Sequence, residues 1–324
     1  MEAETDSLTE QETAVYDRQI RVWGVEAQKR LSKSRVLVVG ITGVVAEVCK
    51  NIVLAGIGKL TLLDDKPLSE EAVASNFLIP FFSTEDEGCC SIASICAEAL
   101  RDFNPMVHVF VEEGNVIEKP GSFFDDYDAV IVGRSSLGLR KHVNLMCRNR
   151  SRRVAFYTVD CRGSSGAVFV DLQKYAYSSQ KGNAEIWQEK HFPNLEEALS
   201  VPWSSISKKT SKLFFAMRII EEFEQCEGRV PGQISCEDLP ALMALRKKMC
   251  ESQAVGDSMV PESVLKRLAD AGNAELPPVC AIIGGILGQE VVKAMSCKGE
   301  PLKNHFFFTA SDGKGVIEDI SPSQ

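Results

Sequence analysis

The sequence predicts an α/β fold, in which a doubly wound, mostly parallel, Rossmann-like sheet carries a mainly helical insertion. Two observations lead to this class. Continuously apolar runs alternate with helical segments between residues 9 and 173, and strands that are apolar on both faces indicate a parallel sheet covered on both sides. The stretch from Ser34 to Asp65 reads as strand, tight turn, helix, strand and acid, which is how a nucleotide-binding βαβ unit begins.

The elements of this fold can be predicted in chain order. Thr9 and Glu12 have capping-box spacing, so one helix is expected to follow them along "AVYDRQIRVWGVEAQKRL". A helix after the glycine turn is expected to end near Gly56, and the next one at Asn104-Pro105. The five predicted strands are "RVLVV", "KLTLLDD", "VHVFVE", "DAVIVG" and "VAFYTVD".

The pattern changes after "CRGSSGAVFVDLQ", which predicts a division of the chain. Residues 1–8 are expected to form a flexible tail, and residues 9–173 together with 272–324 the Rossmann-like domain. Residues 174–271 are expected to form a helical insertion, because 174–210 show no clear alternation and 211–271 contain several amphipathic helices. The long apolar helix "LPPVCAIIGGILGQEVVKAMS" and the strands "HFFFTA" and "GVIEDI" then complete the sheet.

Composition narrows the function classes. The 324 residues are 44% hydrophobic and 25% charged, as in ordinary soluble proteins, and the net charge of −9 argues against nucleic acid or an anionic membrane as the main partner. No signal peptide and no uninterrupted apolar run of about 20 residues is evident. The 11 cysteines are scattered and contain no C-x-x-C pair. We therefore expect reduced thiols in the cytosol or nucleus, and no metal site.

The turn in "VVGITGVVAEV" has fewer glycines than a dinucleotide fingerprint. Gly40 provides the first glycine, but Thr42 and Val45 stand where the second and third belong, and Gly43 lies between them. A Cβ at the point of closest phosphate approach and a β-branched side chain against the strand both disfavour nucleotide binding. The turn is therefore either a scaffold element or a weakened phosphate site.

An acid follows this turn at a suggestive distance. Asp64 lies 24 residues after Gly40, close to the spacing of about 20 residues that a ribose-binding acid shows. Acids at the ends of strands are also common as solvated turn residues. A ribose contact and a plain turn position are both compatible with the sequence.

Several motifs together resemble one family. "YDRQIRVWGVEAQKRL", taken with "SRVLVVG", "DFNPMV", "SFFDDYDAVIV", "VPWSS" and "PPVCAIIGGILGQEVVKA", is similar to the small regulatory subunits of SUMO-activating enzymes, from about residue 14 to residue 320. These proteins belong with the ubiquitin-activating enzymes and share the ThiF/MoeB-like adenylation fold. The resemblance implies a heterodimer whose large subunit binds Mg-ATP, adenylates the C-terminus of SUMO and captures it on a cysteine.

The residues that active members of this family need are missing here. The family places an Arg-Gln pair after the ribose acid, and the matching positions are Ser75 and Asn76. A serine cannot offset the negative charge that develops in adenylyl transfer. No lysine lies between Gly88 and Arg101, where active members have one, and no cysteine is followed by threonine as the transfer cysteine is. We therefore predict no catalytic residue, cofactor or metal on this chain.

The resemblance also implies one functional arginine. Arg18 matches the arginine that reaches across the dimer to the ATP phosphates of the large subunit, and Arg21, one helical turn later, is a weaker candidate. From the residues alone, a solvated helix face with an Asp17–Arg21 ion pair explains the same motif. The basic run from Arg148 to Arg153 likewise fits either a cationic helix terminus or a nuclear-import patch.

We therefore predict a regulatory subunit of the SUMO-activating enzyme in the sumoylation pathway, located in the nucleus and also in the cytoplasm, with SUMO contacted through the complex. The alternatives are an autonomous adenylyltransferase for a ubiquitin-like or sulfur-carrier protein, a nicotinamide-dependent dehydrogenase, and the regulatory subunit for another modifier. The first requires the full glycine turn and the Arg-Gln clamp. The second lacks a catalytic His or Tyr constellation, and regulatory subunits for other modifiers tend to be longer.

Overall fold

The computed structural model describes residues 8–64, 66, 68–80, 91–181 and 184–322, without the side chains of Glu71, Gln180, Lys181 and Ala184. Strands and helices alternate along most of this range, as the apolar pattern predicts. The strands are β1 (Arg35–Val39), β2 (Lys59–Leu63), β3 (His108–Val111), β4 (Ala129–Val132), β5 (Ala155–Arg162), β6 (Ser165–Asp171), β7 (Lys174–Lys181), β8 (Ala184–His191), β9 (His305–Thr309) and β10 (Lys314–Glu318).

The helices account for the covering layers and for most of the segment between β8 and β9. They are α1 (Glu10–Val15), α2 (Asp17–Trp23), α3 (Val25–Ser32), α4 (Gly43–Ala55), α5 (Glu70–Ser75), α6 (Ile92–Phe103), α7 (Leu137–Arg148), α8 (Leu195–Leu199), α9 (Lys212–Cys226), α10 (Leu239–Ser252), α11 (Glu262–Ala271) and α12 (Pro277–Ser296).

Eight strands form one mixed sheet with the order β10-β9-β6-β5-β4-β1-β2-β3. The five strands from β3 to β5 in this order run parallel, whereas β6, β9 and β10 pair antiparallel. Alternate residues of β1 are buried on opposite faces: Val36 and Val38 pack under α4 and α12, and Leu37 and Val39 under α7. The predicted fold class, a mostly parallel α/β sheet covered on both faces, is confirmed.

The expectation of a single N-terminal helix is wrong, because the segment forms three short helices. The capping box of Thr9 and Glu12 is present, but the segment divides into α1, α2 and α3 at Tyr16 and Gly24. Gly24 has φ +89°, a left-handed conformation that ends a helix and that glycine adopts at little cost. The pieces are anchored to the far end of α4: Gln19 Nε2 donates to the Leu54 carbonyl at 3.2 Å, and Gln28 Nε2 donates to that of Ala55 at 3.1 Å.

Residues 174–191, expected to belong to the helical insertion because they show no clear alternation, form strands instead. The strands β7 and β8 pair as an antiparallel hairpin. Tyr175 and Tyr177 are each 1% exposed, and the Tyr175 hydroxyl donates to the Lys293 carbonyl of α12 at 2.9 Å. Two tyrosines on one face of a short polar strand are a weak alternation signal, and α12 supplies the surface that buries them.

The helices of the insertion form a second core. Residues of α9, α10 and α11 pack together with Phe307 of β9 and with Ile320, which follows β10. The helical character expected for 211–271 is therefore present, and these helices cover the antiparallel end of the sheet. The division of the chain into domains stays a prediction. The proposed tail at residues 1–8 lies outside the described residues except for Leu8.

Helix α12 lies at the centre of the larger hydrophobic core, which it forms with α4 and one face of the sheet. By length and composition alone its 20 residues could cross a membrane, but 67% of its most apolar stretch is buried. Gly284 and Gly288 let α12 approach α4 closely, because a Cβ would lie 2.4 Å from Glu47 Cβ at the first and 2.8 Å from Asn51 Cβ at the second. Its apolar composition is therefore explained by packing within the protein.

Gly56 ends α4 with φ +84°, and its α-carbon faces the buried ring of Tyr16. We expect Gly56→Ala to lower the free energy of unfolding by about 2–4 kcal/mol, because a Cβ would lie 2.4 Å from Tyr16 Cζ and the backbone would be strained. Urea denaturation measures this change. Gly114→Ala is the matched control: Gly114 has φ +86°, but a Cβ added there would meet no atom within 4 Å, so only the strain of about 1–2 kcal/mol is expected. Equal losses in the two variants would show that the Tyr16 contact is unimportant.

Candidate nucleotide crevice and N-terminal arginine

The glycine turn lies where ligands bind in open α/β sheets. The chain order reverses between β1 and β4, which are neighbours in the sheet, and ligands of this fold bind outside the carboxyl ends of the strands at such a switch point. Gly40 follows β1 with φ +75°, and the N-terminus of α4 opens toward this crevice. A nucleotide phosphate would lie against the first turn of α4.

The turn has the side chains that the sequence predicted to be unfavourable. Thr42 is the N-cap residue of α4 but forms no side-chain cap. Val45 is fully buried, and its Cγ2 lies 3.0 Å from where a Cβ on Gly133, just after β4, would stand. Val45 therefore fills the gap that the third glycine of a dinucleotide fingerprint keeps open.

A carboxylate from the distant Glu275 occupies the first turn of α4. The Gly43 N–H donates to Glu275 Oε2 at 2.6 Å, and the Glu275 side chain is only 3% exposed. Burial raises the pKa of this carboxyl, while the nearby Arg134 guanidinium opposes that effect. The position in which the helix N-terminus would hold a phosphate is thus taken by an anion of the same chain.

Asp64 is also committed to the turn. Its Oδ2 accepts a hydrogen bond from the Ile41 N–H at 2.6 Å, and its Oδ1 accepts one from the Lys66 N–H at 3.2 Å. The residue is only 6% exposed, and its carboxylate fixes the backbone of the loop. The neighbouring Asp65 lies outside the described residues.

Beyond Glu275, alternating charges continue along the carboxyl edge of the sheet. Arg134 lies 3.9 Å from Glu275 Oε1, and its Nε donates to Asp160 Oδ1 at 2.6 Å. Arg162 donates to Asp160 Oδ2 at 2.9 Å and, through both terminal nitrogens, to the two oxygens of Glu224 at 2.8 and 3.2 Å. We call these five residues the crevice network. It connects the insertion helix α9 to the glycine turn.

The network is anionic overall, with three carboxylates against two guanidiniums. Burial alone would raise the pKa of Asp160, but Arg134 and Arg162 overcome this and hold it well below its usual range. Glu224 also accepts from the Gly232 N–H at 2.8 Å. Both guanidiniums are paired with carboxylates, so neither is free to offset the charge of a triphosphate.

Ser75 and Asn76, which stand in place of the Arg-Gln clamp, both contact other parts of the chain. The Ser75 carbonyl packs so closely on Gly43 that a Cβ there would lie 2.4 Å from it. Asn76 is 1% exposed; its Oδ1 accepts from the Leu78 N–H at 3.0 Å and its Nδ2 donates to Cys96 Sγ at 3.4 Å. This segment therefore packs directly against the glycine turn.

Arg18 lies at the other end of α4. Its helix α2 is fixed beside Leu54, whereas the glycine turn precedes α4, and the 13 residues of α4 make it roughly 20 Å long. Arg18 is exposed, and no hydrogen bond or ion pair to another described residue involves it. Arg21 pairs with Asp17 at 2.9 Å, as the simpler interpretation predicted. Arg18 is therefore available to another molecule but cannot reach the crevice of its own chain.

Several arginines of the basic run from Arg148 to Arg153 contact other residues of the protein. Arg148 binds the buried Asp171 through two hydrogen bonds of 2.7 and 2.9 Å. Arg152 pairs with Asp128, and Arg153 lies over the ring of Tyr175 at 4.8 Å. These contacts favour a structural role for the run over nuclear import.

The nine cysteines in the described part of the chain are free thiols, and six of them are buried. Cys161 and Cys280 lie against each other, and this contact together with burial raises the pKa of Cys161 far above its usual value. With Glu275 they form a group whose ligand atoms all lie within 4.8 Å. Sequence spacing did not suggest this cluster, because Cys161 lies on β5 and the other two residues lie at the start of α12, more than 100 positions later. Its three members are one short of a tetrahedral zinc site. Cys89 and Cys90 lie outside the described residues.

Sequence reasoning missed the crevice network. Its members are separated by up to 141 positions, from Arg134 to Glu275, and no motif joins them. One signal was available: Arg134, Asp160 and Arg162 all lie at or just after the carboxyl ends of predicted strands, where charged residues meet in a parallel sheet.

The fold and the crevice define an α/β protein of the Rossmann-like class, and comparison with known proteins identifies its family. The ThiF family model matches residues 16–322. Subunit 1B-1 of the Arabidopsis thaliana SUMO-activating enzyme is 56% identical over 98% of both chains, and subunit 1A of the same plant is 53% identical over 98% of both. Subunit 1 of the Danio rerio enzyme is 36% identical over 99% of this chain and 98% of its own.

The chain belongs to the ThiF family and, within it, to the small subunits of SUMO-activating enzymes known as subunit 1. The predicted resemblance is confirmed. The fold is also similar to a crystal structure of PaaA, with a TM-score of 0.60. The matched region covers 99% of this chain and 77% of the PaaA chain. At 14% identity this likeness shows the fold alone.

Proposed function

We propose that this chain is the non-catalytic regulatory subunit of a heterodimeric SUMO-activating enzyme. In this proposal the large subunit binds Mg-ATP, adenylates the C-terminus of SUMO and forms the thioester. This chain binds no cofactor itself and contributes Arg18 to the ATP site of its partner. The complex acts in the nucleus and in the cytoplasm.

One observation carries the proposal: the chain's own phosphate position is filled by Glu275. A nucleotide there would meet a buried carboxylate at the one helix N-terminus that normally binds phosphate. It would also lack the cationic clamp, because Ser75 and Asn76 stand in its place. Adenylation depends on stabilising developing negative charge, whereas this crevice contains more carboxylates than guanidiniums.

The surface around Arg18 fits an interface with another chain. Val15, Val22, Val25 and Leu54 are between 45% and 80% exposed, and all lie on the N-terminal helices or on the adjoining end of α4. Exposed apolar residues near an arginine that pairs with no other described residue are typical of a protein-binding surface. A guanidinium supplied in trans is an effective stabiliser of phosphate charge.

The autonomous adenylyltransferase remains the second candidate, and one assay separates the two. We expect the isolated chain to show no SUMO-dependent exchange of pyrophosphate into ATP, and to support exchange once the large subunit is added. Radiolabelled pyrophosphate measures this directly, and the large subunit alone is the control. Robust exchange by this chain alone would overturn the proposal.

A further inference from the structure

Three side-chain amides donate to consecutive carbonyls in the last turn of α4. The pairs are Asn104 with Val53 at 2.8 Å, Gln19 with Leu54 at 3.2 Å and Gln28 with Ala55 at 3.1 Å. The last carbonyls of a helix lack donors in the regular pattern of that helix, and these amides supply them from other elements. We call Asn104, Gln19 and Gln28 the amide bracket. It joins α2, α3 and the end of α6 to one point of the core.

The bracket holds α2 by its inner face. Asn104 Nδ2 also donates to the Tyr16 hydroxyl at 2.8 Å, and Trp23 Nε1 donates to Gln28 Oε1 at 3.0 Å. Tyr16, Gln19 and Trp23 follow one another at intervals of three and four positions, which places them on one side of a helix. A helix as short as the 7 residues of α2 is not stable in isolation. These contacts therefore determine where α2 lies.

Arg18 lies on the outer face of the same helix. It follows Tyr16 by two positions, and a helical turn of about 3.6 residues directs it to nearly the opposite side. Val22, one turn later on that outer face, is 80% exposed. No described residue forms a hydrogen bond or ion pair with the Arg18 guanidinium, so the placement of α2 decides where this side chain can reach.

We infer that the amide bracket positions Arg18 for the ATP site of the large subunit. Gln19 and Asn104 are positioning residues of the adenylation reaction: they act through Arg18, and their own amides face the end of α4. This role rests on the proposed function, which assigns Arg18 to that site. It also connects two separate motifs, since "YDRQ" supplies Tyr16 and Gln19, and "DFNP" supplies Asn104, 88 positions after Tyr16.

The test is a double-mutant cycle in the assembled enzyme. Gln19→Met keeps the length of the side chain but removes the donor to the Leu54 carbonyl. We expect it to slow pyrophosphate exchange by roughly 10-fold, since displacing a catalytic group by about 1 Å can cost about 100-fold. In an Arg18→Ala background the same substitution should change the rate by less than about 2-fold, because no guanidinium is left to position. A merely structural role would slow both backgrounds equally.

A second variant and a control accompany this cycle. Asn104→Ala should show the same dependence on Arg18, but Asn104 is 4% exposed and its loss also weakens the fold. The half-buried Gln19 therefore decides the result if Asn104→Ala does not fold. Gln225→Met, at an exposed position of α9, should leave the rate unchanged in both backgrounds. Gel filtration and thermal unfolding show that each variant is folded and assembled.

The outcomes separate the positioning role from the proposed function. Equal slowing by Gln19→Met in both backgrounds, or a wild-type rate with Gln19→Met alone, would overturn the positioning role and leave the part of Arg18 intact. Unchanged exchange with Arg18→Ala would instead remove Arg18 from the proposed function, and the positioning role with it. Slowing that disappears in the Arg18→Ala background would establish that the bracket acts through Arg18.

Discussion

Replacing Arg18 with alanine is expected to slow adenylation of SUMO by the assembled enzyme by roughly 100- to 1,000-fold, the usual cost of removing one preorganised donor. An arginine that reaches a nucleotide in trans offsets charge in the transition state. Arg18 is exposed on a helix that Gln19 and Gln28 hold against the end of α4. The variant removes no hydrogen bond or ion pair among the described residues. Folding and assembly should therefore be unchanged, and the loss should appear in the rate of pyrophosphate exchange.

Arg21→Ala is the matched control for this experiment. It lies on the same short helix, is also exposed, and loses only a surface pair with Asp17. Arg18→Lys should recover only part of the rate, since an ammonium lacks the planar fork of a guanidinium. Gel filtration confirms assembly of each variant. Wild-type exchange kinetics with Arg18→Ala would exclude Arg18 from the ATP site.

Replacing Arg162 with alanine is expected to lower the free energy of unfolding by about 3–5 kcal/mol, the usual cost of leaving buried charges unpaired. Arg162 is 3% exposed and is the shared partner of Asp160 and Glu224. Its loss would leave Glu224 without a cation and Asp160 with Arg134 alone. Urea denaturation of the full chain measures the change.

A double variant separates the charge effect from lost packing. In Arg162→Met with Glu224→Met, the uncompensated carboxylate is gone, so we expect a smaller loss than in Arg162→Met alone. A double variant as unstable as the sum of the two single variants would show that the two side chains act independently. The result would then contradict the pairing described for the crevice network.

The stability that the crevice network contributes should fall as the pH is lowered. The pKa of Asp160 is held below its ordinary value in the folded chain despite burial, because Arg134 and Arg162 favour the carboxylate. A carboxyl whose folded pKa is depressed contributes stability above its unfolded pKa and loses it as the pH falls. The destabilisation caused by Arg162→Ala should therefore be largest near neutral pH and shrink below about pH 4.

Much of the molecule follows from local sequence pattern. Apolar runs such as "RVLVV" and "DAVIV" become buried parallel strands, because a strand covered on both faces must be apolar at every position. Thr42 and Val45 predicted a turn that disfavours nucleotide, and Gly40 adopts the left-handed conformation that such a turn requires. The family motifs predicted a small subunit of a SUMO-activating enzyme, and nearly full-length relatives confirm that membership.

The residue that occupies the former phosphate position can be identified only from the tertiary structure. Glu275 is far from the glycine turn in sequence, and it reaches Gly43 because α12 packs against α4 through Gly284 and Gly288. The contacts of Gln19 and Gln28 with the C-terminal end of α4 likewise place Arg18 the length of that helix away from the crevice. Periodicity and motifs report on neighbours along the chain, whereas a buried ion pair depends on which distant elements the core brings together. The fold class, the family and the weakened turn could therefore be predicted from the residues, but the filling of the turn from within and the outward position of Arg18 depend on long-range packing.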